Sequence, residues 1–399
     1  DDLAIDVIKG LLASVPALDP KRVDDVIVGN AVPEAEQGLQ VGRIIAARAV
    51  GVHAPGMTVN RYCASGLETI AIATAKIRSG EADCIIAGGT ESMSMVPTAG
   101  WKTVPAFSIA QDEPDYYLSM GLTAEAVAKE YGISREDQDA FAYGSHMKAL
   151  EAIRNGHFKA GILPIPVEEV YLDEKGKKQK RSVVVDMDDG VRGDTTTDAL
   201  AKLKPAFAAQ GCVTAGNSSQ TSDGSAFVVV MGERMVKELG LKPIGRLVTT
   251  SVAGVHPRIM GIGPAEAIPK ALKQSGLTMD KIDLVELNEA FASQALAVIR
   301  TVGLDPSIIN INGGAIALGH PLGCTGAKLT VQILQDMKRL GKRYGMVTAC
   351  VGGGQGIAGI IDQARAGRFS RLIVRNGTLY DGTGAKPRRA RARESFFGV

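Results

Sequence analysis

Three segments, far apart in the chain, each set a reactive side chain among glycines and small residues. They are Asn60-Arg-Tyr-Cys63-Ala-Ser-Gly66, Gly319-His320-Pro-Leu-Gly-Cys-Thr-Gly326 and Cys350-Val-Gly-Gly-Gly-Gln-Gly356. Two cysteines and one histidine in such settings suggest covalent acyl chemistry with a separate acid/base. A thiolate is the reactive form of cysteine, and a helix N-terminus or a neighbouring base favours it. Taken singly, each residue also has a packing reading: Cys63 as a loop–helix junction, Cys350 as a small hydrophobe at a strand end, His320 as a loop residue. Cys84, on an apolar run, and Cys324 read as packing residues, Cys212 has no assigned role, and His53, His146, His157 and His256 read as surface or loop residues.

Composition narrows the classes. The 399 residues are 45% hydrophobic and 22% charged, an ordinary globular balance for two or three domains. A net charge of +2 gives no field for nucleic acid, and one Trp with 5% aromatics gives no stacking platform. No apolar run reaches the roughly 18 residues of a membrane span. Residues 1–15 read as an amphipathic helix rather than a secretory signal. Five cysteines without CxxC or HxxxH spacing fit free thiols in a reducing cytoplasm and no metal site. Gly354-Gln-Gly356-Ile-Ala-Gly359 has the glycine spacing of a dinucleotide loop. The run after it reads as a strand, so no nucleotide cofactor is expected.

The elements that must carry these segments read as a repeat. Leu3, Ile5, Ile8, Leu11 and Leu12 have helical spacing, and Val26–Val28 follows as a strand. After Cys63, an apolar helix runs to Gly80 and a buried strand, Asp83–Ala87, leads into Gly88-Gly89. The second half repeats this plan. Residues 23–31 match 282–290, and Cys63 to Gly89 matches Gly323 to Gly354, with a helix from Thr325 and a strand ending at Cys350. The pattern predicts two related α/β halves with sheets covered on both faces. Between them, residues 93–214 hold a helix-rich piece, Thr123 to Asn155, capped at Ser134. A polar hairpin, Tyr171 to Arg181, follows.

In order, the blocks GNAVPEAEQGLQVGR, VNRYCASGLETIAIA, AGGTESMS, VTAGNSSQTSDG, IMGIGPAEAIPKAL, ELNEAFA, NGGAIALGHPLGCTGAK and TACVGGGQG resemble thiolases over residues 1–363, specifically degradative 3-ketoacyl-CoA thiolases. The resemblance implies a five-layer αβαβα fold. Residues 1–92 and 215–242 would form the N-terminal half, 93–214 a loop domain and 243–365 the C-terminal half, leaving 366–399 as a non-family tail. It implies Cys63 as nucleophile, Cys350 as acid/base, and His320 beside Cys63. Asn288 would hold a water that shares one oxyanion hole with His320, while the N–H groups of Cys63 and Gly352 form the other. Coenzyme A, as co-substrate, would pass Arg192, Ser219 and Met260, with Met120, Ala290 and Phe291 near the pantetheine and acyl group.

The same resemblance implies a homodimer or homotetramer paired through a sheet edge, with a hydratase–dehydrogenase subunit as a further partner. Ser119 before Met120-Gly121, where short-chain thiolases carry histidine, favours the degradative class. An acetoacetyl-CoA-forming acetyltransferase and a non-catalytic acyl-CoA-binding protein are the alternatives. The Lys175–Arg181 run is either a solvated hairpin or a contact for the CoA phosphates.

Two departures bear on the fold. Thiolases begin with a strand and an Arg-Thr-Pro segment ahead of the first helix here. The expectation is a chain lacking a strand that belongs centrally in the first sheet, as in a fragment or an incomplete gene product. Thiolases also end near Ile361, and Arg371–Gly384 instead looks like the opening of an amidohydrolase. Residues 371–381 are one candidate to fill the missing position, and the basic run Pro387–Arg393 reads as unpacked.

Overall fold

The computed structural model describes residues 1–363 together with the backbone of three short strands, Thr378–Leu379, Arg388–Arg389 and Ser395–Gly398. Ten strands lie in the first 363 residues: β1 Asp25–Gly29, β2 Gly56–Val59, β3 Cys84–Ser92, β4 Ile165–Leu172, β5 Lys178–Val185, β6 Asp223–Gly232, β7 Gly245–Gly254, β8 Leu284–Leu287, β9 Tyr344–Val351 and β10 Gln355–Gln363. The first core sheet runs β2-β1-β3-β6, with β1 parallel to β2 and β3, and β6 antiparallel to β3. The second runs β7-β10-β9-β8, with β10 antiparallel to both neighbours and β8 parallel to β9. An isolated parallel bridge from Val285 to Ile309 stands where β2 stands in the first half.

Period-two alternation along these strands sorts their side chains onto two apolar faces. Val26, Val28, Cys84, Ile86, Phe227, Val229 and Met231 face outward onto the helices Asp2–Ser14 and Val41–Ala49. Ile27, Ile85, Ala87, Val228 and Val230 face inward. There they meet the helices Ser65–Ser79 and Leu322–Leu340, and on the far side Val347, Ala349 and Ile357 of the second sheet. Met346, Ala358 and Ile360 point the other way, onto the helices Gly263–Ser275 and Ala292–Val302. The result is helix, sheet, helix, sheet, helix: the five-layer αβαβα order that the resemblance implies.

The central helix pair is closer than side chains would allow. A Cβ added at Gly66 would lie 2.6 Å from Ala327 N, and one at Gly326 would lie 2.8 Å from Leu67 Cβ. The backbones touch at the first turns of both helices, so the segments that precede these turns meet as well.

The expectation of a missing central strand is corrected. β1 and β3 pair directly, Asp25 opposite Ile85 through Gly29 opposite Gly89, leaving no central gap. In the second half the additional strand is β7, which lies outside β10. The equivalent place in the first half is the outer side of β6. There Ser395–Gly398 pairs antiparallel with β6, Ser395 opposite Gly232, and Phe397 also pairs with Gly245, joining both sheets into one nine-stranded order. The physical reason is that β3 is hydrogen-bonded on both edges, to β1 and to β6, and β1 likewise to β2 and β3, so a further strand can add only on the outer side of β6 or β2. Of the other candidate, residues 371–381, only Thr378–Leu379 is described, and it pairs with Arg388–Arg389 rather than with the sheet. The rest of that segment, and of the basic run beside it, lies outside the described residues. The polar hairpin is present as β4 and β5, with Glu168–Lys180 and Glu169–Arg181 ion pairs across it.

Gly326→Ala is expected to destabilise the fold by on the order of 3 kcal/mol, because rigid backbone rather than a flexible side chain opposes the new methyl. Urea denaturation compared with the natural chain measures this; a loss below about 0.5 kcal/mol contradicts the close helix contact.

Candidate active site

Cys63 lies on a short turn, Tyr62–Ala64, that feeds the Ser65–Ser79 helix. The turn is strained: Tyr62 has φ 43°, left-handed backbone that a residue with a Cβ adopts reluctantly. Local hydrogen bonds hold it. Tyr62 N donates to Asn60 Oδ1 (2.9 Å), Arg61 N donates to Ser65 Oγ (2.8 Å), and Ser65 Oγ donates to Tyr62 O (2.7 Å). Arg61 bonds Glu68 of its own half and reaches the other half at Gln355 Oε1, while Gln355 Nε2 donates to Gly352 O. The Cys63 turn and the Cys350 turn are thereby tied together.

Cys350 is the next-to-last residue of β9 and fully buried, and Gly352-Gly353-Gly354 turn the chain into β10. Gly353 and Gly354 have φ of 77° and 84°, which is why glycine stands there. The Gly352 N–H faces the Cys63 sulfur, and the charge of a Cys63 thiolate acts on Cys350, so the two thiols share one site.

Burial dominates their electrostatics. It pushes the Cys63 thiol up to about 12, against the opposing pull of the Gly352 and Cys63 N–H groups, and Glu91 adds to the rise. That is roughly 4 kcal/mol against the thiolate, whereas the helix N-terminus contributes only about 0.3–1 kcal/mol in its favour. Burial, then Cys63, also raises Cys350 well above the usual thiol range. Burial thus favours the neutral thiol at both positions.

His320 is on the stretch between Gly319, φ 82°, and Pro321. Lys328 Nζ fastens this stretch by donating to Leu318 O (2.7 Å) and Gly319 O (3.2 Å), and His320 N donates to Gln220 O (3.4 Å). The imidazole is buried between Thr325 Oγ1, 2.6 Å from Nδ1, and Asn288 Nδ2, 3.2 Å from Nε2. Burial, then the Lys328 charge, depresses its pKa to about 3, so it too is neutral at rest. Asn288 Oδ1 is buried with no hydrogen-bond partner among the described residues. Leu322, two residues after His320, packs in one buried cluster with Cys63.

Met120, Met260, Ala290 and Phe291 pack with Cys350 in a single apolar cluster. Ser219 N donates to Ala290 O (3.0 Å), which sets Ser219 at its edge. Arg192 is not tied to that cluster; its N–H donates to His146 Nδ1 (3.1 Å). His146 corrects the surface expectation: it is buried on the Arg135–Arg154 helix, and burial and the Arg192 charge depress its pKa. The helix-period pattern there is weak, so the buried side of that helix is hard to read from sequence. Cys84 and Cys324 are buried, as packing residues are. Cys212 is half-buried, with its sulfur 3.1 Å from Gln138 Nε2 and 3.4 Å from Glu125 Oε2. Among the described residues, no group of three or more His, Cys, Asp or Glu is placed to hold a metal, and no helix is long and apolar enough to cross a membrane.

One residue that the sequence reading passed over is Glu91, at the end of β3. Its buried carboxylate accepts from Ala31 N (2.7 Å), Gly323 N (2.8 Å), Gln37 Nε2 (2.8 Å) and Asn30 Nδ2 (3.2 Å). Gly323 N belongs to the first turn of the Leu322–Leu340 helix, so Glu91 caps from one half the helix start that follows His320 in the other. A carboxylate among small residues in AGGTESMS is the signal that marks it.

The family models for thiolase, N-terminal domain, and thiolase, C-terminal domain, match residues 1–234 and 241–363. The chain is 52% identical over 363 residues to a 3-ketoacyl-CoA thiolase of Bacillus subtilis, covering 91% of this chain and 93% of that one. It is 43% identical over 364 residues to the peroxisomal 3-ketoacyl-CoA thiolase of Homo sapiens, covering 91% and 85%. The crystal structure of the Bacillus anthracis acetyl-CoA acetyltransferase superposes with a TM-score of 0.81 at 38% identity, covering 90% of this chain and 92% of that one.

The neutral imidazole has a consequence for stability. His320 binds a proton in the unfolded chain near pH 6.5 but in the folded protein only near 3. The unfolded state therefore holds more protons in that window, and stability falls as pH drops through it. His320→Asn is expected to lose about 2 kcal/mol less than the natural chain between about pH 7 and about pH 5. Equal losses in urea titrations contradict a depressed His320.

Proposed function

The chain belongs to the thiolase family, and on that premise we propose that it cleaves 3-ketoacyl-CoA with coenzyme A, giving acetyl-CoA and an acyl-CoA two carbons shorter, as in fatty acid β-oxidation. The observation that carries this reading is the shared site of Cys63 and Cys350, with the Gly352 N–H facing the first sulfur. A carbon–carbon cleavage that leaves a thioester enolate needs both a nucleophile and a separate proton donor, and two thiols in one buried site provide them.

In the first half-reaction the Cys63 sulfur attacks the 3-keto carbon as its proton passes to His320. The bond between the second and third carbons breaks, and the electron pair goes to the acetyl-CoA enolate, which takes the proton of Cys350. In the second, the Cys350 thiolate removes the proton of the incoming CoA thiol. CoA attacks the acyl–Cys63 thioester, and Cys63 leaves as a thiolate that recovers a proton from His320. Charge develops on an oxygen in each half. His320 and a water on Asn288 serve one oxyanion, and the unpartnered Asn288 Oδ1 supports such a water. The Cys63 and Gly352 N–H groups serve the other. One such donor is worth about 2.7–4 kcal/mol. No bound cofactor enters; coenzyme A is a co-substrate. Arg192, Ser219 and Met260 form its path, with Met120, Ala290 and Phe291 along the pantetheine and acyl group; their clustering at Cys350 supports the last three and Met260.

The reading extends to organisation. Residues 93–214 form the loop domain between the two halves, and 366–399 stand outside the family. Subunits pair as a dimer or tetramer through the β2 edge, supported by its position at one end of the ladder. A hydratase–dehydrogenase subunit is a candidate partner. Five free thiols suit a reducing cytoplasm.

Thiolysis assays with acetoacetyl-CoA and 3-ketohexadecanoyl-CoA test the reaction. The natural chain is expected to cleave the long substrate, and Cys63→Ala to lower the rate at least about 10³-fold. Preference for the short substrate moves the assignment to an acetyltransferase. A folded protein that cleaves neither is an acyl-CoA-binding protein, and the enzymatic reading fails.

A further inference from the structure

The hydrogen-bond directions around His320 define which of its nitrogens carries the proton, and they do so through a side chain outside the proposed catalytic set. Thr325 Oγ1 lies 2.9 Å from Pro321 O and 2.6 Å from His320 Nδ1. A hydroxyl has one hydrogen. Two oxygens at 2.9 Å repel unless that hydrogen lies between them, so the hydroxyl donates to Pro321 O and presents a lone pair to Nδ1. On the opposite edge of the ring, the Asn288 amide Nδ2 donates toward Nε2 across 3.2 Å. Both edges describe the same neutral imidazole, with hydrogen on Nδ1 and the Nε2 lone pair accepting from the Asn288 amide. Thr325 sits in the first turn of the Leu322–Leu340 helix, next to Gly326 of the central helix contact, and is itself buried. It therefore cannot turn away without leaving a buried imidazole N–H unsatisfied, at about 1–3 kcal/mol.

We propose that Thr325 is a positioning residue that locks His320 as the Nδ1–H tautomer, which leaves Nε2 as the one ring atom able to accept a proton. The consequence for the reaction rests on the assignment of His320 as the base of a thiolase; the tautomer itself does not. The depressed pKa of the ring agrees with it, because only a neutral imidazole has a tautomer to set. The hydroxyl acts once more when His320 receives a proton: Nδ1–H stays bonded to Thr325, while the new Nε2–H displaces the Asn288 amide, whose Nδ2 cannot accept it.

Nitrogen-15 imidazole spectra of the labelled protein test this, with His320→Asn assigning the His320 signals. The expected wild-type spectrum has a protonated Nδ1 and an unprotonated Nε2 at neutral pH. Thr325→Val, which keeps the shape and removes the hydroxyl, is expected to move the signal toward the other tautomer and lower kcat about 10²-fold with little change in KM. Thr325→Ser is expected to restore both. A wild-type His320 protonated at Nε2 overturns the proposal. So does a folded Thr325→Val enzyme with wild-type spectrum and turnover. If Thr325→Val does not fold, the wild-type and Thr325→Ser spectra decide. A wild-type protein that shows the Nδ1–H signal but cleaves no 3-ketoacyl-CoA supports the tautomer and overturns the reaction assigned above.

Discussion

The backbone contact between the Ser65–Ser79 and Leu322–Leu340 helices organises this molecule. Both helices lie in the middle layer, and both begin with glycines where they touch: Gly66 on one, Gly323 and Gly326 on the other. Because the first turns are pressed together, whatever precedes them is brought to one place. Cys63 precedes the first helix and His320 the second. Glu91 adds a carboxylate across the same junction, accepting from Gly323 N and from the Asn30–Gln37 stretch. Third in the arrangement is the β9–β10 turn, held to the Cys63 turn through Arg61 and Gln355.

The site that results is buried, and burial sets its chemistry. Burial costs a Cys63 thiolate more than the helix N-terminus and two N–H groups return. It also keeps His320 uncharged. Burial thus opposes a resting thiolate–imidazolium pair. Under the proposed reaction the sulfur loses its proton only as the substrate oxygen gains charge, and the same donors that fail to ionise the free thiol are aimed at that oxygen. Low dielectric strengthens each of those hydrogen bonds.

Much of this was legible in the chain. The apolar runs at Val26–Val28, Asp83–Ala87 and Gly345–Cys350 read as buried strands because sheets covered on both faces need no polar alternation. Gly80 closes the first central helix with φ 85°, as its position in the sequence predicts. The repeat placed the two halves in register, and the three reactive segments were visible as side chains among glycines. Less legible was whatever depends on pairing across the halves. Nothing local tells that the additional strand beside β6 is peripheral, since strand order is a long-range property. His146 lies on a helix with little apolar periodicity, so its burial leaves no pattern. Glu91 and Thr325 are single polar residues in apolar surroundings, and their partners come from Gly323, Asn30 and His320, known only once the halves are packed.

The central claim is that Cys63 carries the acyl group while Cys350 only moves a proton. Rapid acid quenching of the enzyme with acetyl-CoA, followed by mass spectrometry of its peptides, tests it most directly. Acetyl is expected on the peptide that contains Cys63, unchanged in a Cys350→Ser protein under prolonged incubation and absent from Cys63→Ala. Acetyl on Cys350, or label that survives the Cys63→Ala change, contradicts it.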